Sequence, residues 1–295
     1  MAKHYQGSPA TTSTDAVFIP EVWASGIYKY FERKTVFRNL VDDYSALVTG
    51  SADTIHVPEI GIISATAKSA GSDVSYDATA STTTDLSVNK HYYAAKLFED
   101  LLTVQSSYDL MSKYTQMFGE ALARQVDSDI WGELDGVNQT QALSADDTLT
   151  AAVFESTLAT LGENDVPYMD GDCYMVVNPT LFADIMNPSA GLAQYFIRSD
   201  ASGEGSGLKN GMVGSLYGIQ VFMSNTVSTA GSSSTVPGGI FHRSACAFAM
   251  QRDVRVQSDY SIDALGTKVV ADTIYGVKVL DDSDNIRGVR FLNVD

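Results

Sequence analysis

Residues 64–87 form the stretch that most limits how this chain can fold. Their sequence, SATAKSAGSDVSYDATASTTTDLS, holds three large apolar residues, Val74, Tyr76 and Leu86. Such a segment cannot bury enough apolar surface to offset the entropy cost of ordering it alone. Its Thr and Ser residues favour extended backbone, and structureless loops this long are uncommon inside compact domains. A long hairpin that projects from the body onto a partner and a flexible surface loop are comparable interpretations of this segment on its residues alone.

The segments around this stretch carry regular patterns. Residues 51–63 read as a strand, in which Pro58 favours an edge or bulge position. The longest periodic segment is residues 108–134, a helix of roughly 40 Å at 1.5 Å per residue. Its apolar residues recur every four positions and therefore wind around the helix, so that its ends face different neighbours. These residues are Leu110, Tyr114, Phe118, Leu122, Val126, Ile130 and Leu134.

Acidic residues crowd the C-terminal end of this long helix, against the preference of the helix dipole. They are Asp127, Asp129, Glu133 and Asp135. The placement indicates either an interaction at that end or a solvated acidic face, and the solvated face is the favoured interpretation.

The remaining chain alternates between helix and strand. A polar N-terminal arm precedes a short helix that begins near Pro20 and presents Trp23 and Phe31 on one face. Helices are expected at 150–161 and 179–186, and buried strands at 173–177 and 219–223. From residue 240 onward the pattern predicts short strands separated by turns. These strands include residues 245–250, 254–256, 269–270, 275–280 and 289–294.

Charge limits the classes of function. The 295 residues include 36 Asp and Glu against 19 Lys and Arg, for a net charge of −17. That balance disfavours any action based on gripping phosphates, although closeness to DNA without adhesion stays compatible with it. The N-terminus lacks the apolar core of a signal peptide, and the apolar runs are too short to cross a bilayer. Cys173 and Cys246 lie in apolar runs and are expected to be buried free thiols.

No catalytic, cofactor or metal site is predicted. The four histidines are scattered without metal-ligand spacing, and no Gly-x-Ser-x-Gly elbow or complete phosphate loop occurs. Residues 281–288 resemble a calcium loop but have Ile286 at the position that needs glycine. We therefore expect a protein that is not an enzyme.

Two stretches resemble the major capsid proteins of tailed bacteriophages. Residues 108–123, YDLMSKYTQMFGEALA, together with residues 127–134, are similar to capsid proteins of short-tailed, T-seven-like phages. Residues 218–225, GIQVFMSN, resemble a strand found late in one domain of many such proteins. The order of parts also resembles that family: polar arm, helix, strand, extended hairpin, long helix, α/β lobe and strand-rich tail.

The resemblance implies an α+β protein with the Hong Kong phage-type capsid fold. It implies an N-terminal arm at 1–20, a helical region at 21–50 and an extended loop hairpin at 51–97. A peripheral domain, with the long helix as its spine, would comprise 98–147 and 264–295. The axial domain would comprise 148–263.

The resemblance also implies a function by self-assembly. Pentamers and hexamers would form an icosahedral shell around double-stranded phage DNA, without sequence-specific DNA binding and without a membrane. Scaffolding, portal and decoration proteins are the further partners, the virion capsid is the location, and the host cytoplasm is the place of assembly. An encapsulin-like nanocompartment shell, and an acidic hydrolase or carbohydrate-binding protein, are the alternatives.

Particular residues follow from this resemblance. On the extended loop, Lys68, Val74, Tyr76 and Asp77 are expected to contact a neighbouring subunit. Trp23 and Phe31 are expected beneath the spine helix, whose packing residues are Tyr114, Phe118, Leu122, Val126 and Ile130. A covalent link between Lys68 and Asn285 is less favoured than non-covalent contact. Deletion of residues 70–83 is expected to block assembly and leave a folded monomer.

Overall fold

A computed structural model describes ten stretches of the chain. They are residues 35–48, 53–60, 65–71, 73–74, 76, 81–100, 111–198, 212–228, 236–280 and 286–294. The predicted arm and first helix, with Trp23 and Phe31, lie outside these residues, as do Asp77 and Asn285.

Three α-helices lie in the described stretches: α1 Met111–Leu134, α2 Ala151–Glu163 and α3 Pro179–Met186. Each coincides with a predicted helix, although the predicted start of the first falls on residues that are not described. Local chemistry explains the start of α3. Pro179 occupies the first turn, and the Asn178 side chain accepts a hydrogen bond of 2.8 Å from the Leu181 N–H.

The strands of the described stretches form three sheets. They are β1 Asp42–Asp43, β2 Thr54–Ile60, β3 Ser81–Ser87, β4 Lys90–Glu99, β5 Gln139–Ala142, β6 Cys173–Val177, β7 Phe196–Arg198, β8 Met212–Leu216, β9 Ile219–Met223, β10 Gly238–His242, β11 Cys246–Ser261, β12 Gly266–Val279 and β13 Gly288–Leu292. The sheet orders are β1-β11-β12-β4, β5-β13-β10-β6-β9-β8-β7 and β2-β3.

The four-stranded sheet carries α1 on one face. Tyr92, Ala94 and Phe98 of β4 pack with α1 into the largest apolar core. β11 and β12 are long antiparallel partners that pair from Cys246 and Val279 to Ser261 and Gly266. The prediction of several short strands separated by turns in this region was therefore wrong. A bulge in β11 carries the pairing through the polar residues that suggested a turn.

The seven-stranded sheet is buried on both faces at its centre. Tyr174 and Val176 of β6 face the core shared with α1, whereas Cys173, Met175 and Val177 face the core beneath α2 and α3. This explains the uninterrupted apolar sequence of β6, since a strand covered on both sides needs no polar alternation. The strand pattern is mixed, because β6 runs parallel to β9 and β13 runs parallel to β5.

Strand pairing crosses the boundaries of the predicted domains. β11 belongs to the range predicted as axial, yet it pairs with β12 from the range predicted as peripheral. β13 comes from the peripheral range and lies in the seven-stranded sheet between β5 and β10. β4 comes from the range predicted as hairpin and instead forms the edge of the four-stranded sheet. The division into domains stays a prediction. The pairings show which sheet each strand belongs to.

Both cysteines are buried and unbridged, as predicted. Burial raises the pKa of the Cys173 thiol to about 12 and also raises the pKa of the Cys246 thiol. Both side chains therefore pack as neutral thiols. None of the helices in the described stretches is long and apolar enough to span a membrane.

Candidate assembly surfaces

The β2–β3 hairpin is anchored to the body at its base. Ile55 and Leu86 are cross-strand partners on one face of the hairpin. That face packs against Ala247, Ala249 and Ile274 of the four-stranded sheet. The opposite face carries His56 and Asp85, whose exposed side chains lie within hydrogen-bond distance, with 2.5 Å between His56 Nδ1 and Asp85 Oδ1. This alternation of inward and outward residues fixes the register of the hairpin.

The loop of the hairpin stands away from the body. Residues 65–71 are all exposed, and this range includes Lys68. Val74 is 57% exposed and Tyr76 is 94% exposed. Of the four predicted contact residues, these three are therefore accessible to another molecule, while Asp77 is not described. Large apolar side chains left in water on a projecting loop are typical of a surface that contacts a partner.

The hairpin and the body approach closely at Gly276 of β12. A Cβ atom added there would lie against the carbonyl oxygen of Ser87 and 3.0 Å from the Cα of Val88. Because both are backbone atoms, neither can rotate away. We expect Gly276→Ala to push the hairpin from the sheet and to lower the free energy of unfolding by about 1–3 kcal/mol, measured by denaturant titration.

Gly132 provides the matched control for this substitution. It lies inside α1 with no atom within 4 Å of an added Cβ. Gly132→Ala is expected to raise the free energy of unfolding by about 0.5–1 kcal/mol, because alanine loses less backbone entropy in a helix. Equal stability of the two variants would contradict the close approach.

The predicted packing row of α1 faces the largest core. Phe118, Leu122, Val126 and Ile130 are buried there. Tyr114 is half-buried at the start of the row. The centroids of its ring and the Phe98 ring are 5.2 Å apart, and the angle between the ring planes is 79°. The Lys96 ammonium lies 3.7 Å from the centre of the Tyr114 ring and hydrogen-bonds its hydroxyl. The row thus joins α1 to β4.

The acidic end of α1 is not a solvated face, so that prediction was wrong. The carboxylate of Asp127 is buried and accepts hydrogen bonds from the backbone N–H groups of Val36 and Phe37, at 2.9 and 3.1 Å. Asp129 accepts a bond of 2.9 Å from the Tyr275 hydroxyl. Asp135 is also buried and pairs with Arg290 at 3.4 Å. These acids bind the rest of the fold to the helix, because each meets a donor from a distant segment.

One group of side chains has the residue types of a hydrolytic triad. His242 Nδ1 lies 2.8 Å from Ser244 Oγ, and His242 Nε2 lies 3.2 Å from Asp170 Oδ2. The backbone N–H of Ser244 also donates to the same Nδ1, at 3.3 Å. The ring therefore caps the turn that begins at His242, and the serine contact follows from its position two residues later. We interpret this group as a structural cap.

A second polar cluster lies on the face of the four-stranded sheet opposite α1. The buried Asp272 carboxylate accepts two hydrogen bonds of 2.9 Å from Arg255 and lies 3.0 Å from His91 Nε2. Arg252 approaches it at 3.8 Å. Burial raises the pKa of Asp272, but the hydrogen bonds from Arg255 and His91 outweigh burial and hold that pKa below its usual range. The carboxylate is therefore ionised in the folded protein.

Sequence reasoning missed the burial of three carboxylates: Asp127, Asp135 and Asp272. Asp272 lies in the apolar run VVADTIYGV, where an unpaired charge would be costly. That position signals a partnered acid but does not reveal its partners, which come from β4 and β11. Among the described residues, no group of three or more metal-ligating side chains occurs.

Comparison with known proteins identifies the family to which the chain belongs. A family model described as "Phage capsid protein" matches residues 81–288. Comparison with curated protein sequences finds no match.

Several solved structures are similar to the chain. One is from Mycobacterium phage Che8, with 27% identity, a TM-score of 0.65, and coverage of 87% of this chain and 90% of that one. Another is the capsid of Ralstonia phage GP4, with 14% identity, a TM-score of 0.69, and coverage of 98% and 96%. A third is a virus-like particle from Pyrococcus furiosus, with 10% identity, a TM-score of 0.59, and coverage of 92% and 98%. The last two show the fold alone.

Proposed function

The chain belongs to the phage capsid protein family, and we propose that it is a major capsid protein that self-assembles into an icosahedral shell around double-stranded phage DNA. The family match across residues 81–288 is the observation that carries this proposal. The exposed hairpin loop supports it, because an ordered projection without its own core needs another molecule to lie on. The subunits would assemble as pentamers and hexamers, with each loop over an adjacent copy.

The domain division can be restated in terms of the sheets. We propose that α1 and the four-stranded sheet form the peripheral domain, and that the seven-stranded sheet with α2 and α3 forms the axial domain. A particular kinship with short-tailed, T-seven-like phages is a further proposal. Its support is the sequence of residues 108–123 and 127–134.

In the proposed function, the chain is a structural subunit of the shell and not an enzyme. Its net charge of −17 suits a shell that encloses DNA without gripping it, because like charges repel across the inner surface. Scaffolding, portal and decoration proteins are proposed partners, no membrane is involved, and assembly would take place in the host cytoplasm. The mature location is the virion capsid.

Electron microscopy with light scattering tests the proposal. We expect the purified protein to form closed shells, or rings of five and six subunits, on concentration or with its scaffolding partner. The measurement is the particle shape in negative stain and the mass in solution. A species that stays monomeric under all these conditions, with scaffold present, would overturn the proposal.

The alternatives give different outcomes in the same experiment. An encapsulin-like compartment would form shells that co-purify with a cargo enzyme from a cellular host. An acidic hydrolase or carbohydrate-binding protein would stay monomeric and bind a small ligand. Neither alternative is favoured by the family match.

A further inference from the structure

A bulge in β11 places two arginines on one face of the four-stranded sheet. Arg252 pairs with Ile274 and Arg255 pairs with Asp272, so three steps along β11 match two steps along β12. In a regular strand, residues three apart point to opposite faces. The extra residue of the bulge brings both arginines to the side of Asp272.

The cluster contains more positive than negative charge. Asp272 has a side chain that is 5% exposed, and its carboxylate is shared by Arg255, Arg252 and His91. The two arginines alone exceed the charge of the single carboxylate, and both are more than 40% exposed. Asp272 holds their guanidinium groups at the sheet surface, where part of their positive charge remains available to another molecule. We call the surface formed by Arg252 and Arg255, with His91 beside them, the cationic face.

The cationic face is open to solvent in a single copy. Tyr93 lies directly across from Asp272 on β4 and is 70% exposed. Ile274, the cross-strand partner of Arg252 and His91, packs with the base of the β2–β3 hairpin, whereas the side chains of Arg252, Arg255 and His91 stay partly exposed. An exposed tyrosine beside exposed arginines has the composition of a protein interface centre, where Tyr and Arg are enriched.

Several other cationic side chains among the described residues form ion pairs with nearby carboxylates. Lys90 pairs with Asp129, Arg243 pairs with Asp42, and Arg290 pairs with Asp135. Each copy as a whole carries a net charge of −17, so copies that approach at random repel one another. A positive face on a chain of net negative charge gives one orientation in which a second copy is attracted.

We propose that the cationic face is an interface that receives an acidic surface of a second copy of this chain. The proposal rests on the proposed function, since it assigns to one surface a part in self-assembly. The expected contact joins carboxylates of one copy to Arg252 and Arg255 of the next, with Tyr93 packed at its side. Assembly should then depend on ionic strength through these arginines.

Arg252→Gln is the test, because Arg255 and His91 still hold Asp272 in this variant. Arg124→Gln is the matched control: it removes the same charge from an exposed arginine, here on α1, where its partner is Glu120 at 3.9 Å. Light scattering and electron microscopy follow shell formation from low to high NaCl concentration. We expect Arg252→Gln to assemble about tenfold more slowly than the wild type at low salt and the gap to narrow as NaCl screens the contact, whereas the control behaves as wild type.

The outcomes separate this proposal from the proposed function. If both variants assemble as the wild type does, the cationic face is not an interface, while the capsid function stands. If the wild type forms no shells with scaffold present, both proposals fail.

Two probes identify the kind of partner. Hexaglutamate is expected to slow assembly of the wild type and to have little effect on Arg252→Gln, which would support an acidic protein surface. A short DNA duplex, followed by fluorescence anisotropy, tests the other anion. If Arg252→Gln loses duplex binding but assembles normally, the face contacts DNA and the proposed interface between copies is overturned.

Discussion

Replacement of residues 65–78 by a short Gly-Ser linker is expected to abolish shell formation and leave a folded monomer. The segment makes up most of the hairpin loop, and its described residues are all exposed in a single copy. The described residues of the loop therefore contribute little buried apolar surface to the body, and we expect the body to fold without them. Assembly loses Val74 and Tyr76, the apolar side chains that the loop presents to a partner.

This replacement is a cleaner test than deletion of residues 70–83. That deletion would also remove Ser81 to Thr83, which pair with Pro58 to Ile60 in the hairpin. The linker variant keeps β2 and β3 and therefore keeps the contact of Leu86 with the body. Its fold is measured by circular dichroism and denaturant titration, and its assembly by electron microscopy. Closed shells from this variant would contradict the role of the loop.

Single substitutions test how much one side chain of the loop contributes to assembly. Tyr76→Ala is expected to reduce shell yield, because an aromatic ring at an interface contributes much of the contact area. Met169→Ala is the matched control, since Met169 is also largely exposed but lies far along the chain from the hairpin. Equal loss from both variants would indicate a general effect of surface hydrophobicity.

Local signals explain which parts of the fold could be predicted. α3 begins where Asn178 and Pro179 specify a helix start, and β6 is apolar at every position, so both follow from a few adjacent residues. The α+β class and the phage capsid fold were predicted from the family resemblance. The family model and the similar solved structure confirm both. The hairpin was predicted from what residues 64–87 lack, because a polar extended segment needs support from elsewhere.

The parts that escaped prediction depend on residues far apart in the chain. β4 has the sequence KHYYAAKLFE, in which apolar and polar residues do not alternate, and its pairing with β12 joins segments more than 160 residues apart. The polar residues 251–253 resemble a turn, whereas β11 absorbs them in a bulge. Asp127 and Asp272 looked like ordinary acidic residues, because burial and donors from other segments set their roles. Those long-range partners carry no signature in the adjacent sequence.

Asp127 is expected to make the stability of the folded subunit depend on pH. Its carboxylate accepts hydrogen bonds from the N–H groups of Val36 and Phe37. The Phe37 ring packs against Trp131, with 5.8 Å between the ring centroids. Burial raises the pKa of Asp127 to about 7, although the two hydrogen bonds oppose this shift. In the unfolded chain an aspartate has a pKa of about 3.9. The neutral acid is therefore favoured by folding, and the ionised form is penalised.

The sign of the effect follows from the raised pKa. The stabilisation is complete below about pH 4 and is lost as pH rises to about 7, because the folded protein must then bury a charge. At about 1.4 kcal/mol per pH unit, the loss from this group amounts to roughly 4 kcal/mol across the window. Asp127→Asn removes the charge and keeps one oxygen acceptor, so one of the two N–H groups then faces the amide nitrogen at a cost that does not vary with pH. We expect the difference in free energy of unfolding between the wild type and this variant to change by that amount.

Denaturant titrations of both proteins across this pH range measure the difference directly, since the other titrating groups are common to both and cancel. Asp127→Asn should gain stability relative to the wild type as pH rises, and the two curves should cross. Asp127→Ala separates charge from hydrogen bonding, because it leaves two buried N–H groups without an acceptor; it should be less stable than Asp127→Asn by about 1–3 kcal/mol at every pH, since neither side chain titrates. If the difference between the wild type and Asp127→Asn does not vary with pH, the buried carboxylate has an ordinary pKa. The link between α1 and residues 36–37 would then be held by a carboxylate that stays ionised throughout the range, because its hydrogen bonds compensate fully for burial.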